Sequence, residues 1–219
     1  MLHHAMKAAV IGTTIFLLIA LSFILFFHPK DYPQAIPLYT QGQPTLGDPL
    51  AKVHLVAFED PYCNNCAIFQ RTIFKKIEEK YIRQGKVKYT SYLVSSFPNS
   101  SFVSSLLFCI HAQSTESFFT YLDLFYQNPL LALTPEELQT ELLKLAKKNH
   151  LPLDFSELES CSAQGKYQKQ VVENTNYARA IMGGVIKTPM IFVNGIRMLN
   201  PSLKELEQLI KSELDKGGK

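Results

Sequence analysis

The chain has no tryptophan and only four cysteines, two of them in its single Cys-x-x-Cys, "CNNC" at 63–66. It lacks a basic run, and its net charge is only +3, so it carries no electrostatic footprint for nucleic acid. No internal repeat or low-complexity tract occurs. The six histidines, at 3, 4, 28, 54, 111 and 150, show no ligand spacing. A four-ligand metal knuckle would need Cys109 and Cys161 to reach the pair by the fold alone. Charge is missing altogether from Ala8 to Phe27, a run of twenty residues. That is long enough to cross a hydrocarbon core of roughly 30 Å as a helix. Lys7 precedes the run, which favours a cytoplasmic N-terminus and export of the chain downstream. A cleaved signal peptide is the competing reading. "FFHPKDYPQAIP" offers poor small-residue cleavage positions, which favours an uncleaved signal anchor over 1–28.

What is present begins with a proline-rich stretch. "HPKDYPQAIPLYTQGQPTLGDPL" holds five prolines and little periodicity, so 29–50 reads as a spacer, with the folded part starting near Lys52. "KVHLVAF" suits a buried strand. From Cys63 to Gln84 there is neither Gly nor Pro, and Phe69, Ile73, Ile77 and Tyr81 recur every four residues, which predicts a helix leaving through Gly85. "KVKYTSYLV" alternates as a strand does. A strand–helix–strand unit implies parallel strands and a right-handed crossover. Helical patterns then fill 98–183, among them "TPEELQTELLKLAKKN" with Thr134 as its N-cap. After Gly183-Gly184, "MIFV" and "IRML" flank Asn194-Gly195 as a tight hairpin. Asn200-Pro201 leads into a last amphipathic helix with Leu203, Leu206, Leu209, Ile210 and Leu214 on its inner side.

Cys63 falls where the first strand hands over to its helix, and Cys66 lies one turn further in. Residues three apart face each other on a helix, so a disulfide between them is within reach. Helix-terminal N–H groups and the helix dipole favour negative charge, which lowers the pKa of a thiol held there. Cys63 is therefore the expected attacking thiolate and Cys66 the resolving thiol. Half of a zinc or copper site is the rival reading. A purely structural Cys63–Cys66 bond would constrain very little chain.

Three features together resemble the thioredoxin superfamily, and within it the DsbA-like disulfide oxidoreductases: the strand leading to "FEDPYCNNC", the segment "GVIKTPMIFVNG", and the helical insert between them. The resemblance covers about 45–215. It implies an α/β thioredoxin fold, 51–97 and 184–216, interrupted by a helical subdomain, 98–183, and preceded here by the transmembrane segment and linker. It implies that Cys63 is the nucleophile and Cys66 its partner. Pro189 matches the family's cis-proline against the disulfide, and Thr188 the residue whose backbone pairs with substrate. The redox pair itself replaces any bound cofactor.

The chain also departs from its relatives. Asn64-Asn65 supplies neutral amides where strongly oxidising members often carry proline and histidine, so a less oxidising potential is expected. Lys187 stands where glycine is common; its ammonium near Cys63 would depress that thiol's pKa, whereas a solvated loop lysine would not. Cys109 and Cys161, in a disulfide-permissive compartment, are expected to form a second, structural bond, with two buried free thiols as the alternative. Glu59 and Asp60 are candidates for moving a proton to or from Cys66, with capping of the next turn the favoured role for Asp60. The expected function is disulfide formation in reduced exported proteins on the periplasmic side of a bacterial inner membrane. Reoxidation would come from a quinone-linked membrane protein of the DsbB or vitamin-K-reductase kind. Reduction or isomerisation is the alternative, and a redox-inert chaperone the reading from another class.

Overall fold

The computed structural model describes residues 13, 15–19, 21–22, 32–127 and 133–216. Most of the apolar run from Ala8 to Phe27 lies outside these. Its described residues are helical, and among the described residues no helix is long and apolar enough to cross a membrane. The chain divides after Pro33 into two units, and the second, which begins at Gln34, holds the sheet.

Five strands form that sheet in the order β1-β3-β2-β4-β5. β2 (Val53–Glu59) and β3 (Val87–Leu93) pair in parallel, Val53 opposite Val87 through Glu59 opposite Leu93. The helical stretch between them, α1, runs through Asn64–Phe69, Gln70–Phe74, Lys75–Ile77 and Glu78–Ile82. Its second and fourth parts are π-helical, and the wider turns change the buried stripe. Phe69 is followed in the core by Phe74, and Ile77 by both Tyr81 and Ile82, while Ile73 is only half-buried. Gly85, at φ 68°, takes the chain out of the helix as expected.

The insert comprises α2 (Ser100–Gln113), α3 (Thr115–Gln127), α4 (Pro135–Lys148), α5 (Phe155–Ala163) and α6 (Gln168–Ile181). Thr134 caps α4 in a capping box with Glu137. Cys109 on α2 is bonded to Cys161 on α5. The buried insert residues Leu107, Phe118, Tyr121, Phe125 and Leu142 form one cluster that also contains Cys63 and Cys66. The Cys-x-x-Cys turn is therefore packed between sheet and insert. After the insert, β4 (Met190–Val193) runs antiparallel to β2, and β5 (Ile196–Leu199) returns beside it. The last helix, α7 (Leu203–Asp215), starts on the Ser202 capping box with Glu205, two residues beyond the expected Asn200-Pro201.

The expectation of a spacer through residue 50 is corrected by the sheet itself. β1 (Thr45–Leu46) already pairs with β3 ahead of Lys52. Upstream of it, the Gln43 and Asn174 side chains exchange hydrogen bonds of 2.9 and 3.1 Å, and Tyr39 N–H donates to the Tyr177 hydroxyl at 3.0 Å. Prolines hold this segment extended without a periodic pattern, which is why it read as a tether. Its other end meets the hairpin: Ile36 N–H donates to the Gly195 carbonyl at 3.0 Å. Asn194 and Gly195 both have positive φ, 48° and 82°, as a two-residue hairpin turn requires. A Cβ on Gly195 would stand 2.1 Å from the Ile36 oxygen. Gly195→Ala is expected to cost more than about 1 kcal/mol, read as a lower urea midpoint at unchanged slope.

Candidate active site

The end of β2 delivers two acids and a turn. Glu59 and Asp60 are both fully buried, and Cys63 follows at 5 % exposure. Asp60 Oδ1 accepts from Tyr62 N–H at 2.8 Å and from the Ser100 hydroxyl at 2.6 Å; Oδ2 accepts from Ser96 N–H at 2.6 Å. It thus ties the turn to the start of α2, the capping role. Burial pushes its carboxyl upward, against these donors.

Cys63 is the N-cap of α1. Its backbone is extended, φ −78° and ψ 111°, and its sulfur accepts from Cys66 N–H at 3.3 Å. A sulfur here takes the place that Ser or Asp takes at other helix starts. The Cys63 thiol is lowered from 9.0 to about 6, first by a hydrogen bond from the Cys66 thiol, then by the Thr188 hydroxyl and the N–H groups of Cys66 and Asn65, with burial opposing. Cys66, with no exposed surface, is pushed well up by burial, by its bond to Cys63 and by the charges of Glu59 and Cys63. The two thiols are unbonded in this state.

Thr188–Pro189 is cis, and the Thr188 carbonyl lies 3.3 Å from the Cys63 sulfur. Beside it a groove of about 310 Å³ is lined by Asn65, Ile68, Phe69, Ile73, Pro189 and Pro201. Asn64 and Asn65 are exposed, and what the dipeptide gives Cys63 is main-chain, the Asn65 N–H. Lys187 is exposed as well, and its ammonium is not among the groups that chiefly act on Cys63. Among the described residues no cluster of three or more His, Cys, Asp or Glu is placed to hold a metal ion.

Below the thiols, Glu59 sits in a cradle that sequence reasoning missed. Gln70 Nε2 lies 2.9 and 2.7 Å from its two carboxylate oxygens, and the Tyr89 hydroxyl donates to Oε1. Ser91 and Tyr126 hydroxyls add longer bonds of 3.3 Å each. Burial raises the Glu59 carboxyl from 4.5 to about 7, and these donors restrain the rise. In the sequence Gln70 is only a polar residue four past Cys66, its burial a product of the fold, and Tyr126 of the insert carries no signal either.

A thioredoxin family model matches residues 39–212. The chain belongs to that family. It is a DsbA-like thiol-disulfide oxidoreductase. A Bacillus anthracis protein named "Probable disulfide bond formation protein D" is 28% identical over 212 residues, 94% of this chain and 91% of that one. DsbA of Chlamydia trachomatis superposes with a TM-score of 0.69 at 25% identity, covering 84% of this chain and 96% of that one. Oxidised BdbD of Bacillus subtilis gives 0.73 at 23% identity, covering 85% and 100%, a likeness of fold. In this chain the cis Thr188–Pro189 peptide stands against Cys63, its Thr188 carbonyl 3.3 Å from the sulfur.

Proposed function

We propose that the chain is an exported dithiol oxidase that forms disulfides in reduced proteins, held at the outer face of the membrane by its N-terminal segment. The anchor and export rest on the uncharged run after Lys7. One observation carries the chemistry: the Cys63 sulfur caps its own helix, accepting from Cys66 N–H at 3.3 Å, and stands against the cis Thr188–Pro189 peptide, whose carbonyl lies 3.3 Å away. In the oxidised enzyme a substrate thiolate attacks the Cys63 sulfur. The Cys63–Cys66 bond breaks, and Cys66 leaves with the electron pair and takes a proton from the Glu59 carboxyl. A second substrate thiolate then attacks the substrate sulfur of the mixed disulfide, and Cys63 departs as a thiolate. Two electrons have passed from the substrate cysteines to the pair, with no bound cofactor. A membrane quinone-linked protein of the DsbB or vitamin-K-reductase kind would take them on. The substrate chain lies extended along the groove at Pro189, pairing with the Thr188 backbone.

Cys66→Ser leaves the nucleophile without its resolving thiol. Offered a scrambled or oxidised substrate protein, it should accumulate a dithiothreitol-sensitive adduct on non-reducing gels, and the Cys63→Ser variant should not. If neither variant retains substrate, dithiol exchange is the wrong reading and a redox-inert holder the right one. Oxidation of a reduced dithiol peptide by the wild type, timed against isomerisation of a scrambled one, assigns the direction.

A further inference from the structure

Substrate pairing needs the Thr188–Pro189 peptide held against Cys63, yet the loop leading into it has little of its own to hold it. Gly183 and Gly184, at φ 77° and 98°, carry no side chain, and Val185 and Lys187 are exposed. Met182 reaches across this loop. Its main-chain N–H closes the end of α6 by donating to the Ala178 carbonyl at 3.0 Å. Its side chain packs against the core cluster of Phe58, Tyr92, Met190 and Phe192. Its sulfur accepts from the Lys187 N–H at 3.4 Å. Lys187 is followed directly by Thr188, whose carbonyl lies 3.3 Å from the Cys63 sulfur. One thioether therefore joins a helix end, the core and the substrate-pairing peptide, and Lys187 bears on the site through its amide.

The same sulfur is open to oxidation. Of the three methionines among the described residues, Met190 and Met198 are 3 % and 7 % exposed, whereas Met182 is half-buried. We propose that Met182 is an oxidation site, and that its thioether positions the Thr188–Pro189 peptide until a hydroperoxide converts it to the sulfoxide. The inference rests on the dithiol-oxidase reading, in which substrate pairs with the Thr188 backbone. The step balances without a partner protein. Hydrogen peroxide gives one oxygen to Sδ, the sulfur gives up two electrons as the O–O bond breaks, and the other oxygen leaves as water with both protons. A sulfoxide is polar and chiral where the thioether was apolar and pliable. Its oxygen either stands between Sδ and the Lys187 N–H or turns into the apolar cluster, where it costs desolvation. The 3.4 Å contact survives neither arrangement. Peroxide thus weakens the grip on substrate chains and leaves the thiol chemistry in place. A methionine sulfoxide reductase would reset it.

The test uses the full chain with Cys63–Cys66 closed as the disulfide, so that peroxide meets no free thiol. Limited hydrogen peroxide followed by peptide mass spectrometry is expected to add oxygen at Met182 well before Met190 or Met198. Oxidation of a reduced dithiol peptide is then timed across peptide concentrations, beside dithiothreitol, a reductant that needs no main-chain pairing. The sulfoxide should raise KM for the peptide about tenfold, the scale of lost main-chain hydrogen bonds, with kcat and the dithiothreitol rate unchanged. Met182→Leu keeps an apolar side chain of similar volume but has no acceptor; its KM should start about threefold high and not move with peroxide. Deuterium exchange at the Lys187 amide should quicken about tenfold both in the sulfoxide and in Met182→Leu. Equal oxidation of the three methionines, an unchanged KM in the sulfoxide, a peroxide-dependent rise in Met182→Leu, or unaltered exchange at Lys187 would each overturn the proposal. A wild type that never oxidises the peptide would instead overturn the dithiol-oxidase reading, and exchange at Lys187 would still decide for or against Met182.

Discussion

Reduced wild-type protein should show thiolate absorbance titrating with a midpoint near pH 6, and all of it should belong to Cys63. At pH 7 a thiol of that pKa is roughly nine-tenths ionised, against about one part in a hundred for an ordinary cysteine at 9.0. The largest cause is the hydrogen bond from the Cys66 thiol. Cys66→Ala should therefore raise the midpoint, while Cys66→Ser, which keeps a donor, should hold it low. The Thr188 carbonyl works the other way, since it accepts only from the protonated sulfur. A depressed folded-state pKa adds stability to the reduced form that is complete above pH 9 and lost as pH falls through 6. At pH 7 the differential is about 1.4 kcal/mol, or roughly 30 mV toward a more oxidising couple. A Cys63 midpoint near 9 would remove the basis for assigning Cys63 and Cys66 different roles.

Glu59→Gln should stabilise the fold and impair the enzyme. The wild-type carboxyl titrates near 7 when folded, against 4.5 when free. Between those values the folded state holds more protons than the unfolded one, so stability falls as pH rises and the cost is complete above pH 7. Removing the ionisable group should recover roughly 3 kcal/mol at pH 8 and almost nothing at pH 4, read from urea midpoints across that range. The same variant leaves Cys66 without a proton acceptor. When the reduced variant reacts with the aromatic disulfide DTNB, the second step, in which Cys66 displaces the aromatic thiolate from Cys63, should slow by roughly 10²-fold, the usual scale for a lost general base. A variant that is both more stable and equally fast would show that Glu59 is only a buried misfit.

Much of this was legible in the residues. The strand before the cysteines, the Gly-free run behind them and the Asn-Gly turn fixed three elements by local chemistry alone. "CNNC" together with "KTP" named the two halves of the site. The π turns were not legible, because Phe69, Ile73, Ile77 and Tyr81 satisfy an ordinary helical period; only packing against β3 and α3 selects Phe74 instead. Nor was β1, whose two residues are paired by β3 and have no pattern of their own. The Glu59 cradle draws on α1, β3 and α3, as far apart in sequence as Gln70 and Tyr126, and nothing short-range announces such a meeting.

Because the Cys63 sulfur accepts from the Cys66 N–H in the first turn of its own helix, making the Cys63–Cys66 bond must rearrange that contact. The main-chain nitrogen of Cys66 is consequently a built-in gauge of redox state. Its resonance in a nitrogen–proton correlation spectrum would distinguish filled from spent molecules without any label on sulfur.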